Sequence, residues 1–248
     1  PAEPDDGTLR GLGSSDVLRV ANTLSGIFST VQSPDGTPLE QPELPRLVVV
    51  GTQSSGKSSL LNGFLAADIL PLGESMVTRA PLQLELVHAP DPAEMRAEFG
   101  DYANGCWRPS IAVELACPNP TPPQLERVRT AIEEATAARA GKQKGVSAEP
   151  IFLKIFSPNV PNLSLVDLPG LTMTALTEAG QPKDIKVQIR NMIASYSKPE
   201  RTIILMVCAA RTDLEADPAL ELVKEYDPQG TRTVGVLTKT DLMNTGSD

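Results

Sequence analysis

The chain has 248 residues, 40% hydrophobic and 21% charged, the balance of a globular protein long enough to bury a full core. Its net charge of −9 argues against a nucleic-acid surface, which needs pooled lysine and arginine, and against this stretch lying on an anionic membrane. Three cysteines (Cys106, Cys117, Cys208) without metal-ligand spacing read as a reduced, intracellular set. No apolar run is long enough to span a bilayer, and the acidic start (Glu3, Asp5, Asp6) does not read as a signal peptide.

The first predicted element is an amphipathic helix over 14–32. Val17, Val20, Leu24, Ile27 and Val31 repeat at three and four, Ser14 or Ser15 caps it, and Ser33-Pro-Asp-Gly36 stops it. Its apolar stripe needs a partner, either its own domain or helices elsewhere in a larger protein. A linker punctuated by Pro38, Pro42 and Pro45 follows, so residues 1–43 form an appendage and 44–248 the main domain.

An apolar, β-branched run (Leu47, Val48, Val49, Val50) then enters Gly51-Thr-Gln-Ser-Ser-Gly-Lys-Ser-Ser59, which opens into Leu60, Leu61, Phe64 and Leu65 at helical spacing. Strand, glycine-bounded loop and helix start form the context in which G-x-x-x-x-G-K-[ST] is a phosphate cradle. Gly51 and Gly56 permit close backbone approach, so that N–H groups and the positive helix end converge on a polyanion. Lys57 supplies a compact cation to the outer phosphates and Ser58 a hydroxyl to Mg²⁺. Ser54, Ser55 and Ser59 complete the expected nucleotide contacts. Thr78, before the next strand at 81–88, is placed to reach the metal and the attacking water when its loop closes. His88 ends that strand without a partner motif and reads as bland.

The segment 89–150 is less regular. It contains one clear helix over 121–139, with Thr121 as cap, Pro122 at the first position, and Leu125, Val128 and Ile132 on one face. Strands follow at 151–156 and 163–166, and the second ends in Asp167-Leu-Pro-Gly170. After a phosphate loop, an Asp at that strand end reaches Mg²⁺ through water, and Gly170 can present its N–H to the γ-phosphate. A helix over 184–196, a strand over 202–209 and a helix over 218–226 lead to a strand over 233–238. That strand ends in Thr238-Lys-Thr-Asp241. The Asp241 carboxylate accepts two hydrogen bonds that guanine offers and adenine does not, and the Lys239 stem can cover the purine face. Asn244 is a further expected nucleotide contact. The alternation predicts an α/β fold: a P-loop NTPase three-layer α/β/α sandwich with a mainly parallel sheet, preceded by the N-terminal helix. GTP is the expected ligand. A glutamine that orients water in many small GTPases would stand at Leu171, so Gln53, Ser54 and Thr78 are the polar candidates for that task, with Lys57 beside them.

On these strings, together with Val77-Thr-Arg-Ala-Pro81, Asp184-Ile-Lys-Val-Gln-Ile-Arg190 and Asp227-Pro-Gln-Gly-Thr-Arg232, the chain resembles the dynamin superfamily of large GTPases from about Leu44 onward. The resemblance implies a Mg²⁺-dependent GTPase in which residues matching Gln53 and Ser54 work with the switch threonine. It also implies a monovalent cation, Na⁺ or K⁺, held partly by Ser54 and by carbonyls at Gly73 and Ser75, where the family often has a second glycine. G domains of the family self-associate across the nucleotide, and Asp213 matches the residue that reaches the partner's site. The 14–32 helix resembles the first strand of the family's helical bundle signalling element. The resemblance further implies a cytoplasmic parent protein, peripherally bound to membranes through elements outside this sequence and remodelling them, with the cytoskeleton as a further partner. The fifth guanine motif and the last strand and helix are not found, so the domain is expected to be incomplete at its C-terminus. The segment 173–180 departs from the usual second switch. Two other readings stand beside this one: a non-hydrolysing, GTP-dependent assembly switch, and a signalling GTPase outside the dynamins.

Overall fold

The computed structural model describes residues 46–65, 67–71, 78–103, 106–141, 145–160, 162–172, 182, 184–210 and 213–242. The expected helix over 14–32, with Gly73, Ser75, Asn244 and the segment 173–180, lies outside the described residues. In chain order the elements are β1 (Arg46–Val50), α1 (Lys57–Leu65), β2 (Leu82–His88), β3 (Arg96–Ala103), β4 (Cys106–Glu114), α2 (Pro122–Ala140), β5 (Ile151–Ser157), β6 (Leu163–Asp167), α3 (Ile185–Ser197), β7 (Thr202–Ala209), α4 (Pro218–Tyr226) and β8 (Thr233–Thr238).

The strands form one sheet in the order β4-β3-β5-β2-β6-β1-β7-β8. Its β6-β1-β7-β8 half is parallel throughout. Beyond it β2 runs antiparallel to β6, β5 parallel to β2, and β3 and β4 antiparallel again. The P-loop NTPase sandwich expected from the alternation is therefore present, with an antiparallel extension. The β3–β4 hairpin occupies part of the segment that reads as irregular. Its β4 is almost wholly exposed and carries Pro109, so it shows none of the inward alternation that announces a strand; proline is tolerated at a sheet edge.

Both faces of the sheet are packed. One core joins Leu61 and Leu65 of α1 and Val128 and Ile132 of α2 to Leu82, Leu84, Leu153 and Ile155. The other joins Ile185 and Ile189 of α3 and Leu222 and Val223 of α4 to Val48, Val50, Val166 and Ile204. The α2 start matches its sequence signature: the Gln124 side-chain oxygen Oε1 accepts the Thr121 N–H at 2.9 Å.

Arg232 locks the second layer at its back. Its guanidinium donates to the carbonyls of Ser197 (2.8 Å) and Thr202 (3.0 Å) and to that of Tyr226, so one side chain closes the ends of α3 and α4 and the start of β7. Helix ends leave unsatisfied carbonyls, and charge-assisted bonds to them are the stronger kind. Arg232→Ala is expected to cost about 3 kcal/mol and lower the melting temperature by roughly 6–12 °C. A shift below about 2 °C in a calorimetric melt would show that the hub is dispensable.

Candidate functional site

The parallel half of the sheet brings the carboxyl ends of β1, β6, β7 and β8 to one edge, the usual place for a ligand in such folds. There the chain leaves β1 through a loop whose close packing dictates its residues. A Cβ on Gly51 would lie 2.3 Å from the Val207 carbonyl oxygen and 2.7 Å from Ser55 Oγ. Ser54 and Gly56 both take left-handed backbone, φ 62° and 98°, which costs a non-glycine residue such as Ser54 about 1–2 kcal/mol. Gln53, Ser54 and Ser59 are exposed, Ser58 is half-buried and Ser55 is buried. The Ser55 hydroxyl has no hydrogen-bond partner among the described residues. No acid occupies the first turn of α1, so the positive helix end stays uncompensated.

Two buried ionisable side chains, Lys57 and Asp167, stand at this loop. Lys57 is 8% exposed, and its ammonium donates to the carbonyls of Gly51 (3.2 Å) and Thr52 (2.9 Å). Burial pushes its pKa below the ordinary lysine value, against the opposing pull of Asp167 and then Asp217. Asp167, 2% exposed, is pushed up by burial, against the Lys57 charge and a hydrogen bond from Thr78. That bond runs from Thr78 Oγ1 to Asp167 Oδ2 at 3.0 Å, while Asp167 Oδ1 is buried without a partner among the described residues. Ser58, Thr78 and Asp167 border one small cavity of about 10 Å³. An orphaned carboxylate oxygen beside two hydroxyls is a hard-oxygen set that suits Mg²⁺.

The turn that follows β6, Gly170-Leu171, is laced to the loop after β1. Thr52 and Leu171 form a parallel bridge, with Gln53 N–H donating to Leu171 O at 3.0 Å and Leu171 N–H to Gly51 O at 3.1 Å. A Cβ on Gly170 would lie 2.8 Å from Gln53 Cα and 3.0 Å from Lys57 Nζ, so only glycine fits there. Leu171 itself is buried in the α3–α4 core. Its backbone work was not legible in the sequence, which showed only that its side chain cannot hold water.

At the far side, the Thr238 hydroxyl donates to the carbonyl of Ser55. The strand that ends in Thr238-Lys-Thr-Asp241 is thereby tied to the loop after β1. Lys239 follows in left-handed backbone (φ 54°), and Asp241 sits exposed in the 3₁₀ turn Thr240–Leu242. Asp213 is exposed at the cap of the turn Leu214–Ala216, its Oδ1 accepting Glu215 N–H at 3.0 Å. One contributor escaped the sequence reading. Buried Asn62 of α1 clasps the Leu70 backbone through both side-chain ends, at 2.8 and 3.1 Å, and so anchors the segment that leads toward Thr78. An amide among the apolar positions of a short helix was the available signal.

Residues 47–240 match the family model described as "Dynamin family". The chain is 45% identical over 232 residues to dynamin-1-like protein of Mus musculus, covering 94% of this chain and 30% of that protein. It is 44% identical over 234 residues to dynamin-A of Dictyostelium discoideum, covering 94% and 25%. It is 40% identical over 235 residues to vacuolar protein sorting-associated protein 1 of Schizosaccharomyces pombe, covering 94% and 34%. It thus spans about a third or less of these relatives' lengths.

Proposed function

This chain belongs to the dynamin family, and from that premise we propose that it binds and hydrolyses GTP as the G domain of a dynamin-like mechanochemical protein. The observation that carries the reading is the bond from Thr238 to the Ser55 carbonyl. It joins the guanine motif to the phosphate loop, so that one nucleotide can span both.

In this reading Lys57 leaves the carbonyls of Gly51 and Thr52 for the β- and γ-phosphate oxygens, an exchange of neutral for anionic acceptors. Ser58, Thr78 and Asp167 would hold Mg²⁺, which when bound neutralises charge on the same oxygens. The Gly170 N–H faces the γ-phosphate, and Asp241 reads the base. Thr78, Gln53 and Ser54 position the attacking water, the task that Leu171 cannot perform. Ser54, with the backbone at Gly73, would hold a monovalent cation, which when bound would add positive charge beside the phosphates.

Self-association through the G domain, with Asp213 reaching across, completes the active form. The longer protein acts in the cytoplasm, peripherally on membranes, through elements outside this sequence, and its assemblies engage the cytoskeleton. Support for the membrane role comes from the relatives, one of which is named for vacuolar protein sorting.

GTP turnover per protein, measured against protein concentration in Na⁺, K⁺ and Cs⁺, tests this reading. Specific activity should rise with concentration and should be higher in Na⁺ or K⁺ than in Cs⁺. Tight GTP binding with no turnover at any concentration would instead favour a non-hydrolysing assembly switch.

A further inference from the structure

Asp217 is 1% exposed, more deeply buried than the Asp167 of the phosphate site, and the mechanism above makes no use of it. One oxygen caps α4 by accepting Ala219 N–H at 2.8 Å; the other accepts the Cys208 thiol at 3.1 Å. Neither partner is charged, and among the described residues Asp217 forms no ion pair. A helix cap needs no charge, since serine and asparagine cap as well as aspartate, whereas burying a carboxylate without a cation beside it is costly. The sequence nevertheless places an ionisable carboxyl at this position.

Its location says what that charge acts on. Cys208 follows Val207, whose carbonyl lies 2.3 Å from where a Gly51 Cβ would stand. The Gly51 carbonyl in turn receives the Lys57 ammonium at 3.2 Å. The Cys208 carbonyl also lies 3.3 Å from the Thr238 hydroxyl that holds the loop. Asp217 therefore sits one layer beneath the phosphate-binding turn, where its field reaches Lys57 through poorly screened protein interior.

We propose that Asp217 is a buried counter-charge under the phosphate loop, which weakens the loop's hold on nucleotide phosphates and speeds their release. The inference rests on the reading that this loop binds guanine nucleotides. A negative charge below the site opposes every phosphate charge above it, so the effect grows with the charge of the ligand and vanishes for a neutral one.

The experiment compares the full chain with Asp217→Asn and Asp217→Ser, both of which retain a cap, and with Cys208→Ala, which retains the charge. Ligands are GDP and a non-hydrolysable GTP analogue in stopped-flow, and guanosine by competition. Both Asp217 variants are expected to bind GDP about fivefold and the GTP analogue about tenfold more tightly, the scale of one buried charge acting at intermediate range. The gain should come from slower release, with guanosine unchanged and Cys208→Ala within about twofold of the parent. Unchanged or weaker affinity in folded Asp217 variants would overturn the proposal, as would an equal gain for guanosine. Loss of the fold in both variants would also overturn it, by making the carboxylate a structural group. If the parent chain itself bound no guanine nucleotide, the assigned ligand would fall first, and this inference with it.

Discussion

Lys57→Ala is expected to lower affinity for GTP by about a hundredfold or more and to leave no measurable turnover, because truncating the cation that meets a bound anion in a buried site costs about 2–5 kcal/mol. Two losses combine in this variant. The phosphates lose the compact cation that reaches them from inside the loop, and Asp167 keeps a buried carboxylate with no ammonium to oppose it. The carbonyls of Gly51 and Thr52, which accept the ammonium, are left to water or to loop rearrangement. A titration with a fluorescent GTP analogue and a phosphate-release assay check the two halves of this expectation separately. Near-parental affinity in Lys57→Ala would place the nucleotide elsewhere on the molecule.

Thr78→Ala should behave differently. Its hydroxyl bonds Asp167 at 3.0 Å and borders the small cavity that Ser58 and Asp167 share, yet it contributes nothing to the loop that cradles the phosphates. Binding should therefore stay within about threefold of the parent, while kcat falls by about a hundredfold or more, the usual cost of removing one transition-state contact. Thr78→Ser, which keeps the hydroxyl, should recover much of the rate. Parental turnover in the alanine variant would remove the first switch from the mechanism.

The legible part of this molecule is the part governed by local rules. The run Leu47 to Val50, the glycine spacing at Gly51 and Gly56, and the Thr121–Pro122 helix start each declare their structure within a few residues. So do the strands that lead into Asp167 and Thr238. What was hidden depends on contacts between distant segments. The β3–β4 hairpin turns on a bulge at Phe99/Gly100; a Cβ on Gly100 would lie 2.3 Å from the Arg108 carbonyl oxygen, and no periodicity reports that. Nothing local to Arg232 announces that its guanidinium meets four carbonyls, those of Ser197, Pro199, Thr202 and Tyr226. Leu171 stands out in the sequence for what its side chain cannot do, whereas its backbone bonds to Gly51 and Gln53 of the loop after β1. Asp217 caps α4, and its depth is set by packing that no local pattern reports.

In the proposed function one nucleotide is held at both ends, by the loop around Lys57 and by the carboxylate of Asp241. The most direct test is base preference in the parent chain and in Asp241→Asn, measured by calorimetry with GTP, ATP and xanthosine triphosphate. The parent should bind GTP and reject ATP by about a thousandfold or more, because a carboxylate that accepts two hydrogen bonds from guanine is left unpaired by adenine once the bound base covers it. In Asp241→Asn the amide should lose GTP and gain xanthosine triphosphate, whose altered edge offers it a carbonyl. If the parent bound ATP as well as GTP, or the variant kept the parent's preference, Asp241 would not be reading the base of the nucleotide that Lys57 holds.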